Sequence, residues 1–154
     1  METNFNFKSG VCTSRFQSER LLALGLKKET ADMHWFYTGK IHGWQCCVQC
    51  YQDAIAEPFR KEDATNGNIQ PAWSLHRLLS LIPREFEVNV IPMCGRNYEM
   101  PIEMHILPDF SVVYSDLSKE TYKGFYYTNI YDSLISCIEW QVEQGYFPKE
   151  YLEE

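Results

Sequence analysis

Cys46-Cys47-Val48-Gln49-Cys50 places two thiols, Cys47 and Cys50, at the CxxC spacing, with His34 and His42 upstream as nitrogen donors. Zinc takes about four such ligands in a tetrahedron, and strong zinc signatures bring a second pair at similar spacing. This chain has no second pair, so Cys94 or His105 would have to complete the set from elsewhere. On a strand, Cys46, Val48 and Cys50 face one way and Cys47 the other, which splits the CxxC across the sheet. Thiols buried as small hydrophobes are the favoured account, and Cys47, Cys50, His34 and His42 stand as the metal alternative. A redox CxxC needs a thiolate stabilised at a helix N-terminus. Here Gln45, Gln49 and Gln52 are neutral, the nearest cations in sequence are Lys40 and Arg60, and no strand-then-helix pattern flanks the motif.

Hydrolytic chemistry would need a nucleophile beside a histidine, and His34, His42, His76 and His105 carry no nucleophile elbow or other local signature. His76 sits beside Arg77 on the polar side of an apolar helical stripe, where a solvated face explains it. Glu103 and His105, two apart on a strand, point the same way; they have the types of an acid and a base, and an ion pair on a sheet surface is the commoner use. Glu62-Asp63, Glu85 with Glu87, and Glu153-Glu154 lie in no apolar segment that would raise a carboxyl pKa for proton transfer. Glycines are scattered singly and form no phosphate cradle. No catalytic residue and no cofactor is assigned.

Aromatic residues are the less easily absorbed feature: Trp35, Phe36, Tyr37 and Trp44, then Tyr122, Phe125, Tyr126, Tyr127 and Tyr131. On a strand, Phe125 and Tyr127 fall on the opposite face from Tyr122 and Tyr126. Either helices cover both faces, or one face presents rings of the type enriched at protein interfaces. Phe125, Tyr127, Trp35 and Trp44 are the candidate interaction surface. A sheet that stacks RNA would bring cations with its rings. With 14 Lys and Arg against 21 Asp and Glu, a net charge of −7 and a pI near 5.1, the chain argues against nucleic acid and anionic membranes.

The elements that must hold these residues follow from caps and periodicity. A first helix spans about 14–24: Ser14 caps it, Gln17 completes a capping box, and Gly25 ends it. A second, about 74–82, follows Pro71-Ala72-Trp73 with Ser74 as cap and Leu75, Leu78, Leu79 and Ile82 on one face, before Pro83. A third, about 129–144, carries Tyr131, Leu134, Ile135, Ile138 and Val142 as its stripe and stops at Gly145; Leu134, Ile138 and Val142 should pack on the sheet. Between the last two helices the period drops to 2. Phe86, Val88 and Val90 alternate with Glu87 and Asn89, and Ile102, Met104 and Ile106 with Glu103 and His105. After the turn at Pro108-Asp109, Phe110, Val112 and Tyr114 alternate with Ser111, Val113 and Ser115, and Thr121 to Tyr127 follows. Residues 86–127 thus read as a four-stranded antiparallel meander. Met33 to Tyr51 reads as a hairpin, 52–72 as a mobile, partly helical and then looped connection, and Lys149 to Glu154 as a tail that frays after Tyr151 or Leu152.

The length of 154 residues suits one compact domain over 1–154, and 45% apolar content suits a buried core. The expected fold class is α+β, an antiparallel sheet of four to six strands packed by the three helices. Met1 to Arg15 has no apolar run of signal-peptide length and no window reaches about 18 apolar residues, which points to the cytoplasm and to reduced thiols for the six cysteines.

Three stretches carry a resemblance. They are Ser18-Glu19-Arg20-Leu21-Leu22-Ala23-Leu24-Gly25-Leu26 with Glu29-Thr30-Ala31-Asp32-Met33, then Pro71-Ala72-Trp73-Ser74-Leu75-His76-Arg77-Leu78-Leu79-Ser80-Leu81-Ile82-Pro83, and Tyr131-Asp132-Ser133-Leu134 running to Glu143-Gln144-Gly145-Tyr146. Taken in order, these resemble small uncharacterised proteins encoded by phages and integrated mobile elements of gut bacteria. The resemblance implies an intracellular accessory protein with a helix-flanked sheet, and it supplies no catalytic residue. The expected function is a non-enzymatic interaction module with a protein partner, a homodimer through a sheet face or edge being one form. The alternatives are a small zinc- or thiol-dependent enzyme and a ligand-binding domain with an aromatic-lined pocket.

Overall fold

The structure is a computed structural model that describes residues 10–57, 60–90, 95 and 98–153. In chain order its elements are α1 (Arg15–Ala23), β1 (Met33–Tyr37), β2 (Trp44–Cys47), α2 (Tyr51–Ala56), α3 (Lys61–Thr65), β3 (Ile69–Ala72), α4 (Leu75–Leu81), β4 (Glu85–Val90), β5 (Tyr98–Ile106), β6 (Val112–Ser115), β7 (Thr121–Phe125) and α5 (Ile130–Gln144), with single 3-10 turns at Lys28–Thr30 and Lys149–Tyr151. The fold is α+β, with two antiparallel sheets ordered β2-β1-β3 and β4-β5-β6-β7.

Local chemistry sets the three longest helices. At α1 the Ser14 hydroxyl accepts from the Gln17 amide while the Gln17 side chain accepts from the Ser14 amide, and both orphan donors are satisfied. Ser74 caps α4 by accepting from Arg77 N, and Asn129 caps α5 by accepting from Tyr131 N. Gly145 ends α5 at φ +76, a left-handed value that residues with a Cβ resist. α1 is tied across to α5: Gln17 donates to Asp132 at 2.7 Å, and the Arg20 guanidinium meets Glu139 at 2.7 Å.

The meander forms the four-stranded sheet, and its inner face meets α5. Phe86 stands opposite Ile102 and Val88 opposite Met100; Val112 and Tyr114 continue the layer on β6. Leu134, Ile135 and Ile138 of α5 have no exposed surface, while Val142 is half-buried at the rim. Two details depart from the alternation. Phe110 is not part of β6; it occupies the turn at φ +69 with 53% of its surface exposed, where the Asp109 carboxylate accepts from Ser111 N. In β7 the register slips, Ser115 facing Thr121 while Tyr114 faces Lys123, so Tyr122 is the extra residue of a bulge. The slip lets Tyr122 join Phe125 around Trp140, at 6.3 and 5.9 Å between ring centroids, instead of facing away from it. β7 ends at Phe125, short of the expected Tyr127.

The hairpin β1-β2 forms as expected, and it gains a third strand from the stretch read as a loop. Within 52–72 the structure has α2, α3 and then β3, which pairs antiparallel with β1 and sets Ile69 opposite Phe36 and Pro71 opposite His34. Pro71 is tolerated because β3 is an edge. Phe36 and Ile69 pack into the same core as the four-stranded sheet, whereas Met33, Ala72, Trp35 and Cys46 gather with Cys12 in a small second cluster. The tail is held rather than frayed: Lys27 N donates to Tyr151 O at 2.9 Å and Glu153 N to Gly25 O at 2.7 Å.

Tyr114 is the polar centre of the core. It has no exposed surface, and its hydroxyl donates to Pro83 O at 2.8 Å beyond the end of α4. The same oxygen accepts from the Gln141 amide of α5 and from the Cys137 thiol at 3.6 Å. Tyr114→Phe strips a partner from Pro83 O after α4 and from Gln141 and Cys137 of α5, so equilibrium urea unfolding should show a loss of about 1–3 kcal/mol with an unchanged slope. Burial also pushes Tyr114 up, Tyr131 up to about 12 from 10.0, and Cys137 up to about 12 from 9.0. The folded state keeps these protons where the unfolded chain gives them up. Their contribution is complete below the unfolded values and is lost as pH climbs toward about 12, so melting temperature should fall steadily above about pH 9.

Candidate functional site

The four proposed metal ligands do not converge. His34 has no exposed surface and bridges loops: Nδ1 lies 2.8 Å from Gln49 O, which requires the proton on Nδ1, and Nε2 turns its lone pair to Arg60 Nη1 at 3.4 Å. A metal at Nε2 would have to displace that guanidinium. Cys47 stands opposite His34 in the strand register, Cys50 is the N-cap residue of α2, and His42 is exposed in the turn at the far end of the hairpin. Cys94 lies outside the described residues. Among the described residues no group of three or more His, Cys, Asp or Glu could hold a metal ion.

The four aromatic candidates separate as well. Phe125 is 6% exposed and belongs to the core beside Trp140, which corrects its place on the proposed surface; it stands opposite the buried Val112, on the face that meets α5. Trp35 donates its indole N–H to Thr13 O at 2.9 Å within the Cys12 cluster. Trp44 is covered by the Arg15 guanidinium, 3.8 Å above its ring. Both tryptophans are half-buried and committed to holding the residues before and at the start of α1. Tyr127 alone stays largely open, at 47%.

An open surface does exist, on the outer face of the four-stranded sheet. Glu85, Glu87 and Asn89 of β4 and Glu99, Pro101, Glu103 and His105 of β5 are all exposed, and no helix among the described residues covers them. Glu85 and Glu103 stand directly opposite each other, a like-charge pair that costs the sheet stability. Toward β7 this face becomes apolar. Ile106, Leu107, Val113 and Tyr126 line a groove of about 470 Å³, with Lys119 at its rim. Tyr126 folds back over Gly124, where any Cβ would collide with its ring. Phe110, Tyr126 and Tyr127 crowd the same end of the sheet, since Ile106, Val112 and Phe125 align across β5, β6 and β7. A bulky side chain at φ +69 is strained, and Phe110 adopts it in the turn with its ring half-exposed.

Periodicity had marked Glu87, Glu103 and His105 as outward-facing; it missed that they form one uncovered patch with Glu85 and Glu99. Phe110, Leu107 and Tyr126 were missed because a turn and a bulge set their directions. No family model, curated protein or solved structure matches this chain. No helix among the described residues is long and apolar enough to cross a membrane.

His34→Ala leaves Gln49 O without its partner and should cost about 1–3 kcal/mol in thermal or urea unfolding. Added zinc and added chelator should leave the melting temperature of the wild type unchanged; a rise of several degrees with zinc would restore the metal reading.

Proposed function

We propose that the chain is a non-enzymatic protein-interaction module whose open sheet face docks a segment of another protein that is basic along its length and apolar at one end. The uncovered outer face of β4-β5-β6-β7 carries this reading, with glutamates on β4 and β5 and exposed apolar side chains at the β5-β6 turn and after β7. A like-charge pair retained across a sheet is relieved by a cationic partner, and apolar rings beside it supply area that water is released from. The same glutamates repel phosphate backbones, and they would oppose their own copies in a face-to-face homodimer. A role as an accessory protein of a phage or mobile element, which the resemblance implies, suits a domain that binds without catalysing.

A second reading rests on a cleft of about 430 Å³ between the β5-β6 turn and the start of α5, lined by Leu75, Phe110, Ile130 and Tyr131. Its lining suits a small apolar ligand. Phe110→Ala separates the two: loss of a bound apolar dye with peptide binding intact would favour the ligand site.

The direct test titrates a lysine-rich amphipathic peptide and a glutamate-rich control into the labelled protein and follows amide chemical shifts. The expected result is shifts on β4, β5 and the β5-β6 turn with the basic peptide alone, weakening as salt rises. Glu87→Lys with Glu103→Lys should abolish them while the variant stays folded; unchanged binding by that folded variant would sink the proposal. Independently, Glu103→Gln should raise stability by roughly 0.2–1 kcal/mol, because it removes the charge facing Glu85.

A further inference from the structure

Cys12 and Cys46 come from positions 34 apart in the chain, and their sulfurs lie 2.9 Å from each other. Unbonded sulfurs rarely approach so closely, while a disulfide bond measures about 2.0 Å. Both backbones are already fixed. Thr13 N donates to Trp73 O at 2.9 Å, Trp73 N donates to the Thr13 hydroxyl at 3.1 Å, and Cys12 itself bridges Ser74. Cys46 is set by its pairing with Trp35, which places it on the sheet face that Cys12 covers. The other described thiols are placed elsewhere: Cys47 faces the opposite side of β2, Cys50 lies beyond β2 at the N-cap of α2, and Cys137 is buried against Tyr114. The five described cysteines are free in this structure, and the absence of a third ligand near the pair among the described residues separates it from a metal site.

We propose that Cys12 and Cys46 are a reversible dithiol–disulfide pair that closes by exchange with a small-molecule disulfide and staples the segment ahead of α1 to the edge strand β2. Cys46 is half-buried and Cys12 only 4% exposed, so Cys46 reacts first. Its thiolate attacks one sulfur of the small disulfide, forms a mixed disulfide and expels one thiolate. Cys12 then gives its proton to solvent and attacks the Cys46 sulfur, which expels the second thiolate and closes the protein bond. Two protein thiols lose two electrons and two protons, and the small disulfide gains them as two thiols. Burial pushes both protein thiols up, which makes closure slow at neutral pH and faster in mild base. The closed loop contains α1 and β1, so the bond restrains a large part of the unfolded chain.

The test incubates the full chain with oxidised glutathione or with dithiothreitol, alkylates it in denaturant and maps the peptides by mass. Oxidation should yield one cross-linked pair, Cys12 with Cys46, and raise the melting temperature by about 10 °C over the reduced protein. Cys46→Ser and Cys12→Ser should each remove both the cross-link and the shift. Either variant that folds suffices, and Cys46→Ser lies on an edge strand where a serine is readily solvated. Complete alkylation of Cys12 after oxidation, a cross-link between any other pair, or glutathione left on Cys46 would each overturn the proposal.

Discussion

The hydroxyl of Tyr114 is satisfied only when three elements are in register at once. Apolar contact between α5 and the sheet is non-directional and would tolerate a slide of the helix along β6. The hydrogen bonds are not tolerant in this way: Pro83, just past α4, must bring its carbonyl and α5 must bring Gln141, both to one buried oxygen. A displaced helix would leave that oxygen, the Gln141 amide and the Pro83 carbonyl unpaired in the core. Around it the rings of Phe86, Trp140 and Tyr146 close the layer, with Phe86 stacked on Tyr146 at 4.3 Å and Tyr114 meeting Phe86 edge-on at 5.0 Å.

That anchorage decides which sheet face stays open. α5 covers the inner face of β6 and β7 and reaches Phe86 of β4 through Trp140, and the outer alternation of β4 and β5 carries four glutamates that no helix could bury without partners. β7 reinforces the asymmetry. Its bulge turns Tyr122 to the same side as Phe125, so the outer side of the strand keeps Thr121 and Gly124, and Tyr126 fills the gap the glycine leaves. The uncovered face is therefore a consequence of satisfying the core, and its chemistry is acidic along β4-β5 and aromatic at one end.

Legibility from sequence followed the range of the determining interaction. Ser14 with Gln17, Ser74, and Asn129 with Gly145 fix helix ends within a few residues, and all three helices lie where those residues placed them. The meander was legible for the same reason, from period-2 alternation and short turns. β3 was not: Ile69-Gln70-Pro71-Ala72 is too short to show a period, and its pairing with β1 is made across more than thirty residues. The division into two sheets followed from that missed strand. Phe125 was misplaced because alternation separates the two faces of β7 without saying which of them α5 covers. The Cys12–Cys46 contact left no trace in spacing at all, since a long-range approach of two thiols is encoded in the fold and not in any motif.

In the docking proposed for the open face, the two chemistries would act at different stages of an encounter. Exposed carboxylates spaced along two strands attract a cationic segment over about a Debye length, which raises the rate of encounter and falls with salt. They add little to residence, because solvated charges give back in desolvation what they gain in attraction. Residence would belong to the apolar end, where Ile106, Leu107 and Tyr126 line the groove and Tyr126 is braced on Gly124, so its ring loses little freedom on contact. A partner matching only the acidic strands would bind fast and leave fast. One that also reaches the ring cluster would be selected by geometry, because the rings sit at a fixed end of β5, β6 and β7 and admit its apolar residues in one direction along the strands.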